Sequence, residues 1–507
     1  MINAIKPFEE RSFHSIVLCC ALALHLVTAW FSSGYYAADE HFQIIAFAQF
    51  KLGELSNAQL PWEFEAGIRS ALLPSLAYSM ISISRWLITS DPFCIAFILR
   101  LITGLFALFV VRAFVKAVMH LVSPTMSQPF VLLSYFLWFL PYQHVRFATE
   151  TWAGLLFLLG LSHVISERSG SLRWLVAGVC FGLAIQIKPA MGIPCASMLL
   201  WVLMNNKMSR SIAARSVIGL LIAFAFGALV DRWFYGGFTP TTWNFIRTAL
   251  TGDPQHTFEV YPWYYYLPWI IKYGIAPIGI LMLSALAWLT FRRPRSLLVW
   301  CVWPYLIVLS FVPHKELRFL FPLVDLAPLL VILAWQEFIA LPSTSKLQRP
   351  WIMRTSVAGL AVIVLLNLAG VIIAGTTAAG SGRTQLANAL PHGRSATPKT
   401  LGYALSGEDI WGVRIPTFYL DTVVQDIGTL NPCTSDSQEQ LSLPTFLIGS
   451  EVGEQASGCT LEGQGYRVIA RNEPAWMRCT WQYYNSDRPP AFLLYQYDPA
   501  PSHPSQP

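Results

Sequence analysis

The sequence predicts an all-α polytopic membrane protein of about 11–12 transmembrane helices, followed by a small α/β or β-containing domain outside the cytoplasm. Three observations carry this prediction. Of 507 residues, 54% are hydrophobic and only 12% are charged, about half the charge of a soluble chain of this length. Apolar stretches of near-span length recur as far as residue 375, and the hydropathy collapses after Ala374. Residues 1–375 are therefore expected to form the multi-span membrane domain and 376–507 an extracytoplasmic one. The net charge of +6 is spread along the chain, which excludes a nucleic-acid-binding face. The nine cysteines form no C-x-x-C pair, so neither a zinc site nor a disulfide-dense scaffold is indicated.

Crossing a bilayer takes about 20 helical residues. Candidate spans centre on 14–32, 71–90, 94–118, 129–142, 149–166, 172–187, 190–204, 213–230, 266–290, 297–312, 319–340 and 354–375. Each must be helical, because lipid offers backbone amides no other partner. The first is expected to be a retained span and not a signal peptide, since its apolar run from Phe13 to about Trp30 lacks an A-x-A cleavage site. Arg112 and Lys116, Arg168 and Arg173, Lys207, Arg210 and Arg215, Arg292 to Arg295, and Lys346 to Arg354 mark cytoplasmic connections. That puts 33–70, 231–265 and the tail on the far side. Twelve spans do not satisfy this parity, so one segment between 71 and 142 is expected to be re-entrant, interfacial or mis-split. In the tail, Pro444–Ile448 and Ala491–Tyr497 read as strands, and two of Cys433, Cys459 and Cys479 could pair in an oxidising compartment. No Asn-x-Ser/Thr acceptor occurs anywhere. This favours a bacterial inner membrane, with the endoplasmic reticulum membrane as the eukaryotic alternative.

Three polar constellations carry chemistry. After the first span comes Tyr35-Tyr36-Ala37-Ala38-Asp39-Glu40-His41-Phe42-Gln43, two carboxylates and an imidazole at the membrane surface. Acids so placed are costly unless used or paired. One alternative is that Asp39 caps a helix starting at Glu40. Pro61-Trp62-Glu63-Phe64-Glu65 and Arg69 follow within thirty residues and add acids, aromatics and a cation. The second constellation, Val312 to Pro322, contains His314, Lys315, Glu316 and Arg318. On a helix His314 and Arg318 would be i,i+4 neighbours, and the three cations could converge on one anion with Glu316 orienting them. Arg as a fork and Lys as a point charge suggest a phosphate. The third runs from Asp231 to Trp269, and its aromatics, Trp263 and Tyr264 among them, suit either an interfacial belt or sugar stacking. His256 and Glu259 lie among them as polar contacts.

Ala38-Asp39-Glu40-His41-Phe42-Gln43, Trp62-Glu63-Phe64, Ile68-Arg69-Ser70, Asp231–Gly236, Trp243-Asn244-Phe245, Pro262-Trp263-Tyr264-Tyr265 and His314-Lys315-Glu316-Leu317-Arg318-Phe319 together resemble glycosyltransferase family 22 over about residues 14–340. That family includes mannosyltransferases of GPI-anchor and asparagine-linked glycan assembly. The His-Lys-Glu-x-Arg-Phe run is the most specific of these motifs. Ala38 stands where the family usually has Pro, and Lys188-Pro189 where Arg-Pro is commoner. The resemblance implies a GT-C fold and transfer of a mannose-type sugar from a polyprenyl- or dolichyl-phosphate carrier to a glycan or glycolipid, without nucleotide donor, metal or other cofactor. A lipid phosphate leaves as an anion, so the reaction needs one base and cations for the leaving group. Asp39 is expected to be the base with Glu40 as its alternate; His314, Lys315 and Arg318 bind the phosphate, with Glu316 holding a cation in place. Trp62, Glu63, Arg69, His256, Trp263 and Tyr264 are the expected sugar and acceptor contacts. Asp39 and the cluster near 316 are expected to open onto one pocket. The competing readings are a lipid-sugar transporter or flippase, an O-antigen-type ligase or polymerase, and a non-catalytic scaffold.

Overall fold

The computed structural model describes residues 7–166, 170–205, 210–251, 260–341, 350–391, 399–404, 414–420, 424–429, 443–450, 461–472 and 492–498. Helices occupy every expected span. They are α1 (Pro7–Phe31), α2 (Leu72–Leu87), α3 (Pro92–Val118), α4 (Ser127–Phe136), α5 (Phe139–His144), α6 (Thr149–Ile165), α7 (Leu172–Ile187), α8 (Gly192–Met204), α9 (Arg210–Tyr235), α10 (Thr241–Thr251), α11 (Tyr266–Tyr273), α12 (Ala276–Arg292), α13 (Leu297–Phe311), α14 (Ala327–Ile339) and α15 (Pro350–Thr376). Among the described residues, five helical stretches are long and apolar enough to cross a membrane alone, and α12 with α13, bent by 119°, would make a sixth. The others are shorter than the hydropathy windows suggested, because several windows contain breaks.

Each break has a local cause. The 129–142 window divides at Leu137, whose ψ of 124° ends α4. The 266–290 window divides at Ile275, a β-branched residue at φ 59°, where L side chains are strained. The 319–340 window begins not as an α-helix but as a 3₁₀ stretch, Leu317–Leu326, with Pro322 inside it. Such tight turns aim side chains differently from an α-helix.

The chain divides into two compact units. The first comprises residues 1–31, 42–88 and 97–376 and holds the apolar core, with Phe130, Phe157, Leu161, Tyr305, Leu326 and Leu329 among its buried residues. Glycines allow several close helix contacts. A Cβ on Gly178 of α7 would fall 2.1 Å from Ser216 O of α9, and one on Gly219 of α9 would fall 2.1 Å from Leu175 O of α7. Gly154 of α6 similarly lies against the backbone of Pro322, where a Cβ would meet Cα at 2.7 Å. Small residues let helices approach this closely within a bilayer.

The second unit comprises residues 32–41, 89–96 and 377–507. Its sheet contains β1 (Lys399–Ala404), β2 (Val424–Thr429), β3 (Phe446–Ser450), β4 (Tyr466–Arg471) and β5 (Phe492–Tyr497) in the order β2-β1-β3-β5-β4. β1 runs parallel to β2 and β3, while β5 is antiparallel to β3 and β4. Leu447, Leu461, Tyr466, Leu493 and Tyr495 form a core on it. Segment 32–41 is part of this unit: Ala379 N donates to Ser33 O at 2.8 Å. Gly380, at φ 56°, sits so close to Tyr35 that a Cβ would fall 2.1 Å from its carbonyl oxygen. Cys433, Cys459 and Cys479 lie outside the described residues.

Candidate active site

In the second unit the chain turns helical at Ala38–Glu40, with Ala37 as the N-cap at φ −120°, ψ 148°. Asp39 is therefore within the first turn and does not cap a helix beginning at Glu40. A π-helical turn follows over His41–Ile45; such bulges recur at functional sites. Asp39 is half-buried and Glu40 buried, and Glu40 Oε1 accepts the Tyr36 backbone N–H at 3.2 Å. His41 lies among the rings of Tyr35, Phe418 and Tyr419. Burial pushes its imidazole down to about 3, so it is neutral at physiological pH.

In the first unit, residues 312–316 are not helical and Glu316 is extended, at φ −132° and ψ 146°. The i,i+4 geometry expected for His314 and Arg318 is thus absent. Glu316 gathers them instead. Arg318 donates Nε–H to Oε2 at 2.6 Å and a terminal N–H to Oε1 at 2.7 Å, and His314 Nε2 lies 3.0 Å from the same Oε1. Burial raises the Glu316 carboxyl, but the hydrogen bonds from His314 and Arg318 and the Arg318 charge outweigh it and hold it at about 2. Lys315 is buried and directs its ammonium to two carbonyls, Tyr261 O at 2.9 Å and Val312 O at 2.5 Å. With Tyr261 N donating to Pro313 O at 3.1 Å, this clips the aromatic turn 261–265 to the 312–316 segment. Trp263 and Tyr264 stand exposed on that turn, whereas Tyr265, Trp269 and Tyr273 stack on one another.

A second ion pair joins this cluster. Glu150, at the start of α6, pairs with Lys188, the residue after α7, and both Lys188 and Arg318 act electrostatically on Glu150. Lys188 Nζ lies 4.8 Å from the centroid of the Phe319 ring and Arg318 Cζ 5.6 Å from it, distances that suit cation–π attraction. Tyr305, fully buried, donates its hydroxyl to Phe319 O at 2.7 Å and fixes that ring's backbone. Arg69 also acts on Lys188. Arg69 lies 3.8 Å from Glu63 Oε1, which in turn accepts Gln43 Nε2–H at 2.9 Å, and Trp62 opens the short helix Trp62–Glu65 that carries Glu63. The first unit thus collects Arg69, Lys188, His314 and Arg318 with Glu63, Glu150 and Glu316. Sequence reasoning left Glu150 and Lys188 out of the site, since 38 residues separate them. His256 and Glu259 lie outside the described residues.

The family model of the Alg9-like mannosyltransferases matches residues 16–402. The chain belongs to that family. Its similarity to individual Alg9-like relatives is low but broad. It is 22% identical to GPI alpha-1,2-mannosyltransferase 3 of Xenopus laevis, over 62% of this chain and 58% of that one. It is 25% identical to GPI mannosyltransferase 3 of Drosophila melanogaster, over 61% and 54%. For Mannosyltransferase APTG1 of Arabidopsis thaliana the figures are 23%, 62% and 57%. The chain spans little more than half the length of these relatives. Among solved structures it is similar to ArnT from Cupriavidus metallidurans bound to undecaprenyl phosphate, with TM-score 0.55 and 11% identity over 96% of this chain and 98% of that one. That likeness establishes the GT-C fold for this Alg9-like, multi-pass membrane protein.

Proposed function

We propose that this protein is a membrane mannosyltransferase that moves a mannose-type sugar from a polyprenyl- or dolichyl-phosphate carrier to a glycan or glycolipid acceptor on the non-cytoplasmic side. The observation that carries the reading is the clamp in which one carboxylate, Glu316, holds both Arg318 and His314 beside Lys188. It is a preorganised set of donors suited to a leaving phosphate. The mannosyltransferase names of the relatives and the lipid phosphate named with the ArnT structure support the same chemistry, and the family match speaks against the transporter and ligase alternatives. The missing Asn-x-Ser/Thr sites support a bacterial inner membrane.

In this reading Asp39, or Glu40 in its place, takes the proton of the acceptor hydroxyl as it attacks the anomeric carbon. The carrier phosphate leaves from the opposite face and the configuration inverts. His314 and Arg318 receive the phosphate charge, and Lys315 adds to it while anchoring the turn of Trp263 and Tyr264. Trp62, Glu63, Arg69, Trp263 and Tyr264 contact sugar and acceptor. Purified protein incubated with polyprenyl-phosphate-mannose and candidate acceptors is expected to release carrier phosphate and form an α-mannoside from a β-linked donor. Asp39→Asn should lower turnover by about 10²–10⁴-fold with donor binding near normal. Arg318→Ala should weaken donor binding. Full activity of Asp39→Asn removes Asp39 as the base, and unaltered donor affinity of Arg318→Ala removes the phosphate role.

A further inference from the structure

Within the helical unit a second chain of polar groups links three segments, and neither the donor clamp nor the acceptor contacts use it. His25 of α1 lies with Nδ1 2.7 Å from Ala21 O and Nε2 3.1 Å from His144 Nδ1. His144, at the end of α5, lies with Nε2 2.8 Å from Asp325 Oδ1. Asp325 belongs to the same 3₁₀ stretch as Arg318 and Phe319. The two imidazoles are 1% and 0% exposed, and the Asp325 side chain is 9% exposed. The His25 ring fits against Gly104 of α3, where a Cβ would come within 3.6 Å of it. Arg100 of α3 donates Nε–H to Ala29 O at 2.7 Å, and Arg146, two residues after His144, lies 5.2 Å from the centroid of the Tyr142 ring.

Counting hydrogens decides the charge of this chain. Each of the three contacts needs one hydrogen between its two heavy atoms. A carbonyl cannot supply one, so His25 Nδ1 must carry a hydrogen toward Ala21 O. Two neutral imidazoles bring two hydrogens in total, and an ionised carboxylate brings none. One contact would then set two lone pairs face to face. A single additional proton closes all three and cancels the Asp325 charge, so that the triad is neutral where a bare carboxylate would be costly.

We propose that His25, His144 and Asp325 hold one shared proton beyond the two of neutral histidines, and that this neutral triad is a positioning device for the turn bearing Arg318. The positioning half rests on the donor-clamp reading, whereas the proton half does not. Full-length protein in bilayers, labelled with ¹⁵N-histidine, tests the proton by solid-state NMR together with infrared detection of carboxylic acid. The expected wild-type spectrum contains one imidazolium or one protonated carboxyl that disappears in Asp325→Asn, because the asparagine amide can donate to His144 Nε2 with both rings neutral. Identical histidine signals in the two proteins, with no carboxylic acid lost, overturn the shared proton. For positioning, donor KM of Asp325→Asn should stay within about twofold of wild type. In Asp325→Ala it should rise about tenfold, more than kcat falls, since a buried partner is lost. Unchanged KM in Asp325→Ala, or a tenfold rise in Asp325→Asn, overturns it. If Asp325→Ala does not insert, the spectra and Asp325→Asn still decide, and a protein without transferase activity leaves the spectra to decide the proton.

Discussion

Glu316 shows how one side chain sets the electrostatics of the clamp. Its two oxygens hold the fork of Arg318, and one of them also meets His314, so its folded-state carboxyl is depressed to about 2 from an ordinary value of 4.5. The sign follows directly. A depressed carboxylate contributes stability that is complete above its unfolded value and is lost as pH falls toward its folded one. The clamp should hold unchanged at neutral pH and loosen between about 4.5 and about 2, measurable as faster exchange of Arg318 guanidinium protons. Loosening that begins above pH 6 would contradict the assignment. Glu316→Gln keeps one acceptor oxygen and loses the second, so donor binding should weaken about tenfold, measured by titration with a polyprenyl phosphate. The His-Lys-Glu-x-Arg-Phe run made this group legible in sequence, but the reason given for its convergence, helical spacing, is replaced by a carboxylate bridge across extended backbone. The Glu150–Lys188 pair had no such signal, because no local spacing rule links residues of two different helices.

Among the elements, α7 and α9 approach closely because Gly178 and Gly182 face Ser216–Ala223, with Gly219 opposed to Gly178. Gly178 and Gly182 are four residues apart, the small-xxx-small spacing that allows backbones to meet in lipid. That signal was present in the sequence, although hydropathy windows weigh glycine no differently from any other weakly apolar residue. Gly178→Val would drive its side chain into Ser216 O and should destabilise the helical unit by about 1–3 kcal/mol, seen as a lower midpoint of thermal unfolding in detergent. An unchanged midpoint would mean that the two helices can separate freely. The break at Ile275 was not legible for a different reason. Ile275 is a β-branched residue held at φ 59°, a conformation that tertiary packing imposes against local preference. Gly279 then brings α12 so close to α11 that a Cβ on it would fall 2.3 Å from Ile270 O.

For the whole molecule, the division of the chain does not follow its order. Residues 32–41, which carry Asp39 and Glu40, fold with the C-terminal residues and not with the helices on either side of them. Hydropathy falls after Ala374, but it could not show that an early segment joins the tail, because that joining depends on single contacts. They are the Ala379 N–H to Ser33 O, the close approach of Gly380 to Tyr35, and the rings of Phe418 and Tyr419 around His41. The strand-forming tail is on this view the scaffold of the proposed base. A chain ending at residue 376 would keep α1–α15, whose apolar core lies within the first unit, but it would leave segment 32–41 without those partners. Such a protein is expected to insert and unfold like the first unit of the full chain, to be cleaved readily by protease near Tyr35 and Tyr36, and to lose mannosyl transfer by about 10²-fold or more, as when the base itself is removed. Donor binding should persist, because Glu316, Arg318, Glu150 and Lys188 all lie in the retained unit. A truncated protein with full transfer activity would show that Asp39 needs no scaffold; one that loses donor binding while still inserted would place part of the phosphate cradle in the tail.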